Sequence, residues 1–118
     1  PNTPGAIGEG MTVAVANPKV TEAQREVVQL VLQALGEVAW VTDEGLMDMV
    51  TAVSGSGPAY FFALMEGLEA AAVAAGLPAD LAKTLVYKTA QGAGALAWAQ
   101  RDEKSAAAQR VAVTSPGG

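Results

Sequence analysis

The hydrophobic and polar positions first predict a strand, a helix and a second strand. Two β-prone runs, Met11–Ala16 and Glu37–Val41, flank a segment with helical periodicity. Thr21 and Gln24 have the spacing of a capping box, and Gly36 lies where a C-terminal cap belongs. Strand, helix and strand over about thirty residues are the size of a βαβ unit. This part of the chain therefore predicts the tail of an α/β domain.

From Asp43 onward the pattern predicts helices and no strand, with Pro and Gly at their boundaries. The predicted helices are a short one capped by Asp43, a long one at Pro58–Ala75, another at Ala79–Gln100 and a shorter one at Ser105–Ala112. We place the domain boundary near Thr42. Residues 1–42 would belong to the α/β domain, and residues 43–118 would form a helical domain.

The predicted helix Pro58–Ala75 is apolar on nearly all sides and is interrupted only by Glu66 and Glu69. A membrane span needs about 20 apolar residues with interfacial anchors. The two carboxylates near its middle and the lack of flanking Lys or Arg argue against a membrane-spanning role. We expect this helix to be buried in a bundle or between two protomers.

Composition narrows the possible chemistry. The net charge of −5 argues against nucleic acid as a partner, because phosphate neutralisation needs clustered Lys and Arg. The chain has no Cys and no His, which excludes disulfides, thiolate nucleophiles, ordinary zinc sites and imidazole catalysis. We assign no metal ligand and no catalytic acid–base residue.

Three glycine-bearing motifs have both a functional and an ordinary interpretation. Gly92–Ala97 matches the dinucleotide-binding pattern, but no second strand follows it and no carboxylate occurs after Glu103, so we interpret it as helix packing. Ser54–Tyr60 predicts a link whose backbone N–H groups face a polar ligand at a helix start, or an ordinary turn. Thr114–Gly118 predicts a similar anion site, or a flexible end. Glu44 is a possible ligand contact, or a carboxylate stabilised in a first helical turn.

Taken together, several segments resemble pyrroline-5-carboxylate reductases in their order and approximate spacing. The resemblance covers essentially the whole chain, and its most specific parts are Thr51–Tyr60 and the terminal Thr-Ser-Pro-Gly-Gly. The supporting segments are Pro1–Pro4, Glu9–Thr12, Glu44–Asp48 and Gly76–Pro78.

The resemblance implies a mainly α chain. Its all-helical dimerisation domain would be similar to the C-terminal domain of 6-phosphogluconate dehydrogenase, after a short remnant of a Rossmann domain. It further implies reduction of 1-pyrroline-5-carboxylate to proline with NADPH or NADH, assembly into a homodimer or higher homo-oligomer, and a cytoplasmic location. No nucleic-acid or membrane partner is expected.

The resemblance also implies roles for individual residues. Ser115, Gly117 and Gly118 match the loop that holds the substrate carboxylate, and Glu44 matches a position at the substrate pocket. The implied cofactor side is formed by Asn2, by Pro58 beside the nicotinamide, and by Ala112, where relatives usually carry Gln or Asn. We expect Ser54–Pro58 and Ser115–Gly118 to line one pocket, within or between protomers.

Both ends of the sequence are expected to be cuts, because the chain opens at Pro1 and stops at Gly118. The threonine that follows these glycines in the family, and the phosphate-binding glycine fingerprint, are missing from it. We therefore expect this polypeptide alone to have no reductase activity.

Two alternatives remain open at this point. A hydroxy-acid dehydrogenase would need a catalytic Lys, but Lys83 and Lys88 lie in an Ala-rich helix without a matching motif. A helical dimerisation or interaction module without an enzymatic role would leave the two glycine motifs unrelated.

Overall fold

The computed structural model describes residues 1–115. Its elements in chain order are β1 (Gly10–Val15), α1 (Glu22–Leu32), β2 (Gly36–Val41), α2 (Met47–Val50), α3 (Gly57–Ala74), α4 (Ala79–Ala99) and α5 (Ala106–Val113). The chain divides into two compact units, one covering Pro1–Ala63 and the other beginning at Leu64. A mainly helical chain with a small α/β part is the predicted fold class, and it is confirmed.

The predicted βαβ unit is present in the first compact unit. Strands β1 and β2 are parallel neighbours, paired from Gly10 with Gly36 to Val15 with Val41. Helix α1 connects them, and its capping box forms as predicted. The Thr21 side chain accepts from the Gln24 backbone N–H at 3.3 Å. The Gln24 side chain accepts from the Thr21 backbone N–H at 2.9 Å.

Polar contacts fix α1 to β2. The Trp40 indole Nε1–H donates to Gln29 Oε1 at 2.6 Å. The Arg25 guanidinium lies 4.5 Å from the centroid of the same indole ring. A buried or half-buried indole needs a partner for its N–H, and its face attracts a cation. The Trp40 indole therefore holds α1 against β2 through two contacts, one at the edge of its ring and one on the face of its ring.

The start of the sheet requires glycine at two paired positions. Gly36 has φ 130° and ψ −142°, a conformation that L side chains rarely adopt. A Cβ on Gly36 would collide with the backbone of Gly10. A Cβ on Gly10 would lie 2.6 Å from the Leu35 carbonyl oxygen. The close approach of these backbones sets the parallel register.

Gly36→Ala should lower the free energy of unfolding by roughly 3–5 kcal/mol, because it adds a backbone clash to a strained φ. Urea unfolding followed by circular dichroism and by Trp fluorescence measures this change. Gly8→Ala is the matched control, since Gly8 also has a positive φ of 76° but a Cβ there would meet nothing within 4 Å. The control should lose only about 1–2 kcal/mol; equal losses for the two variants would refute the clash.

The predicted helix boundaries after residue 42 are also confirmed. Asp43 Oδ1 accepts from the Gly45 N–H at 2.8 Å and opens a short 3₁₀ turn before α2. Helix α3 ends at Ala74 and is capped by Gly76, whose φ is 101°, while the Leu77 N–H donates to the Ala72 carbonyl at 3.1 Å. This bond and the positive φ are typical of a Schellman cap. Residues 43–115 contain helices and turns and no strand.

The glycine pattern Gly92–Ala97 lies inside α4, and no strand precedes it. It does not form the strand–turn–helix that binds dinucleotides. The helical conformation counts against a cofactor turn, and close packing at Gly92 and Gly94 stays a prediction, since a Cβ at either residue would meet nothing within 4 Å.

One copy of the chain buries few of its apolar side chains. The buried hydrophobic residues among those described are Ala82 and Val86. Helix α3 instead exposes large side chains over more than two-fifths of their surface: Tyr60, Phe61, Phe62, Leu64, Leu68 and Val73. Within the described residues, no helix combines the length and apolar character that a bilayer crossing requires.

Candidate active site

Asn2 makes the longest-range side-chain hydrogen bonds of the first compact unit. Its Nδ2 donates to the Ser54 carbonyl oxygen at 3.2 Å and lies 3.5 Å from Ser54 Oγ. Its Oδ1 accepts from the Met11 backbone N–H at 2.9 Å. The half-buried amide thus joins the start of β1 to the serine- and glycine-rich segment 52 residues away. Asn2 lies beside Ser54–Pro58, one of the segments predicted to form the site.

The Ser54–Gly57 segment is helical, which corrects the expected link with free N–H groups. Thr51–Gly55 forms a π-helical turn that follows α2, and Ser56 keeps helical dihedral angles before α3 begins. The Ser56 N–H donates to the Thr51 carbonyl at 2.8 Å, so this amide is already paired. The prediction overlooked that a π turn absorbs one extra residue without ending a helix. π turns occur frequently at functional sites.

Gly57 begins α3 and leaves free space beside its backbone. The residue is buried, yet a Cβ built on it would meet nothing within 4 Å. Its φ is not positive, so the backbone conformation does not demand glycine. Pro58, the next residue, is half-buried at the predicted helix start. The turn therefore leaves open space beside Gly57, next to the rigid Pro58 ring.

Glu44 is the first residue of the 3₁₀ turn that Asp43 caps, and its side chain is exposed. A carboxylate here interacts favourably with the unpaired N–H groups of a helix start. This position fits the ordinary interpretation of Glu44. Its role at a substrate pocket stays a prediction.

The remaining predicted residues lie in the second compact unit or beyond the described chain. Ala112 is exposed in the last turn of α5, and Ser115 is exposed shortly after the helix ends. Gly117 and Gly118 lie outside the described residues. The substrate role of Ser115, Gly117 and Gly118, the cofactor role of Ala112 and the shared pocket with Ser54–Pro58 stay predictions.

Neither Lys83 nor Lys88 has the surroundings of a catalytic lysine. Both are exposed on α4. The Lys83 ammonium lies 5.8 Å from the centroid of the Tyr87 ring, and Lys88 donates to Gln91 Oε1 at 2.8 Å. A catalytic lysine is usually desolvated in a pocket. Among the residues that the structure describes, no group of three or more acidic side chains is placed to hold a metal ion.

Ser54 was missed as a structural partner of Asn2. The only sequence signal is indirect. Pro58 lies four residues after Ser54 and has no N–H that could donate to the Ser54 carbonyl, so this carbonyl needs another donor.

Thr12 was a second omission. It is 3% exposed, and its hydroxyl has no hydrogen-bond partner among residues 1–115. No local sequence pattern predicts that a hydroxyl in a β-prone run will be buried.

Residues 44–118 match the family described as pyrroline-5-carboxylate reductase dimerisation. The chain belongs to this family. The matched segment begins at Glu44, one residue after the start of the predicted helical domain, and it includes the π turn and all of α3, α4 and α5.

Whole-chain relatives agree with the family. The chain is 42% identical over 118 residues to the pyrroline-5-carboxylate reductase of Pseudomonas aeruginosa and covers 42% of that protein. It is 40% identical over the same length to the Arabidopsis thaliana enzyme of that name, again covering 42% of it. The chain therefore spans less than half the length of these relatives.

Solved structures show the same fold. A pyrroline-5-carboxylate reductase from Coxiella burnetii superposes with a TM-score of 0.92 at 40% identity. All of this chain and 43% of that one are covered. The Plasmodium falciparum pyrroline carboxylate reductase, solved with NADP bound, gives a TM-score of 0.87 at 32% identity. The superposition covers all of this chain and 47% of the P. falciparum chain.

Proposed function

We propose that this chain is the part of a pyrroline-5-carboxylate reductase that carries the helical dimerisation domain and part of the substrate site. The reaction would be the reduction of 1-pyrroline-5-carboxylate to L-proline by NADPH or NADH. The observation that carries the proposal is the family match over residues 44–118. The whole-chain similarity to reductases supports it.

We propose that the nicotinamide ring lies against the turn at Gly57 and Pro58. A Cβ on Gly57 would occupy the free space beside its backbone, and the rigid Pro58 ring lies next to that space. When bound, the dinucleotide supplies the hydride. The role of this chain is to hold the cyclic imine in line with that ring, because orientation alone supplies a large part of such a rate enhancement.

The substrate carries one carboxylate, and the proposed contacts match it. Ser115 would offer a hydroxyl donor, and Gly117 and Gly118 would offer backbone N–H donors. Hydrogen bonds from such donors to a carboxylate are charge-assisted and strong. Glu44 would border the same pocket. The absence of His and Cys is compatible with this chemistry, since the protein transfers neither the hydride nor a covalent group itself.

We also propose a domain division and an assembly. Residues 1–42 would be the tail of a Rossmann domain, and residues 43–118 would form a homodimer, or a higher homo-oligomer, through their helices. The exposed aromatic and aliphatic side chains of α3 support the assembly. A cytoplasmic location is proposed from the same family membership.

A chimeric enzyme tests the function. This chain would replace the matching 118 residues of the P. aeruginosa reductase. We expect the purified chimera to oxidise NADPH in the presence of pyrroline-5-carboxylate, with kcat/KM within about a hundredfold of the parent enzyme. The parent lacking the segment provides the blank. A chimera that is folded and dimeric but oxidises no NADPH would refute the proposed function.

A further inference from the structure

Proline at position 58 removes one hydrogen bond from the junction between the π turn and α3. In an α-helix the N–H of residue 58 would donate to the carbonyl of residue 54. Pro58 has no N–H, and its ring crowds that same carbonyl. The Ser54 carbonyl, which is half-buried, therefore needs a donor from elsewhere.

Asn2 supplies that donor. Its Nδ2 lies 3.2 Å from the Ser54 carbonyl oxygen and 3.5 Å from the Ser54 hydroxyl. A side-chain amide has two N–H donors, and this one directs them at the same residue. The contact replaces the bond that Pro58 cannot make.

The other end of the amide is fixed to the sheet. Asn2 Oδ1 accepts from the Met11 N–H at 2.9 Å, one residue inside β1. Both ends of the amide are thus engaged within the chain. A side chain bonded at both ends fixes the Ser54–Pro58 turn relative to β1.

We propose that Asn2 is a positioning residue that holds the Ser54–Pro58 turn in register with β1. It would act on the reaction through Pro58 and would not bind the dinucleotide with its own amide. This revises the role expected for Asn2 from the resemblance. The inference rests on the proposed function, because the turn matters to catalysis only if the nicotinamide lies against it.

Asn2→Asp in the chimeric enzyme isolates the donor half of the contact. The carboxylate still accepts from the Met11 N–H, but it has no N–H for the Ser54 carbonyl. We expect kcat to fall by about tenfold to a hundredfold, with KM for NADPH nearly unchanged. Amide hydrogen exchange in the peptide covering Thr51–Tyr60 should become about tenfold faster, since a half-buried carbonyl loses its partner.

Asn17→Asp is the matched control. Asn17 Oδ1 accepts from the Lys19 N–H at 2.9 Å in an exposed turn, and an aspartate preserves that bond. This variant should change neither kcat nor the exchange of the Thr51–Tyr60 peptide. A second variant, Pro58→Ala, restores an N–H at position 58, so Asn2→Asp should accelerate exchange less in that background than in the Pro58 chimera.

The outcomes separate the two proposals. If the unmodified chimera is inactive, the proposed function fails, while the exchange measurements still test the contact. If the chimera is active and Asn2→Asp raises only KM for NADPH, Asn2 binds the cofactor directly and the positioning role is wrong. Unchanged kcat and unchanged exchange would also overturn it.

Discussion

Leu64→Glu in the middle of α3 should prevent the 118-residue chain from assembling as a dimer. Leu64 is 61% exposed in one copy of the chain, and Phe61 and Leu68, one turn away on either side, are 70% and 51% exposed. Covering such side chains stabilises an assembly by about 1.5–3 kcal/mol each. A carboxylate buried there without a partner costs about 3–5 kcal/mol. A symmetric dimer contains the substitution twice, so its dissociation constant should rise by at least about four orders of magnitude.

Sedimentation equilibrium over a range of concentrations measures this change. Gln91→Glu is the control, because it adds the same charge at an exposed position of α4 where the Lys88 ammonium lies within hydrogen-bond distance. The control should dimerise like the unmodified chain. If Leu64→Glu also dimerises with unchanged affinity, α3 is not central to the interface, and the exposed apolar side chains need another explanation.

The second large effect is expected at the start of α3. Gly57→Leu in the chimeric enzyme should lower kcat by at least about a hundredfold, because the side chain would occupy the space proposed for the nicotinamide. The fold should tolerate the change, since a Cβ there meets nothing within 4 Å and the φ of Gly57 is not positive. Activity should therefore be lost while the fold is retained.

Steady-state kinetics and thermal unfolding, measured on the same preparation, test this expectation. Gly92→Leu makes the same substitution inside α4, where a Cβ also meets nothing within 4 Å. It should leave kcat within about threefold of the chimera. Full activity in Gly57→Leu would show that the hydride donor does not approach this turn, and it would remove the geometric support for the proposed site.

Interactions between close neighbours in sequence were predictable. The Thr21–Gln24 capping box, the Asp43 cap and the left-handed Gly76 each depend on groups within about four residues of one another. Their chemistry is therefore visible in a short window. The same holds for the two strands, whose β-branched residues and bounding turns define them.

The Ser54–Gly57 segment was not predictable in this way. Its serines and glycines favour a link between helices, and the structure contains a π turn that continues into α3. The carbonyl that Pro58 leaves unpaired finds its donor in Asn2, 52 residues earlier in the chain. No local window contains both partners. The candidate site residues came from the resemblance, because composition and spacing favoured the ordinary interpretation of Glu44 and of the motifs Ser54–Tyr60 and Thr114–Gly118.

The sequence by itself determined approximately where β1, β2, α1, α3, α4 and α5 lie, because caps, breakers and side-chain periodicity act over one or two turns. Tertiary structure alone decided three features. These are the backbone contact between Gly10 and Gly36, the π turn before α3 and the bridge from Asn2 to Ser54 and Met11. The contact between Gly10 and Gly36 and the bridge from Asn2 to Ser54 depend on groups that are distant in sequence and meet only after the chain folds. Whether a buried polar group has a hydrogen-bond partner, and whether two backbones fit together, depends on which distant groups come into contact in the folded chain.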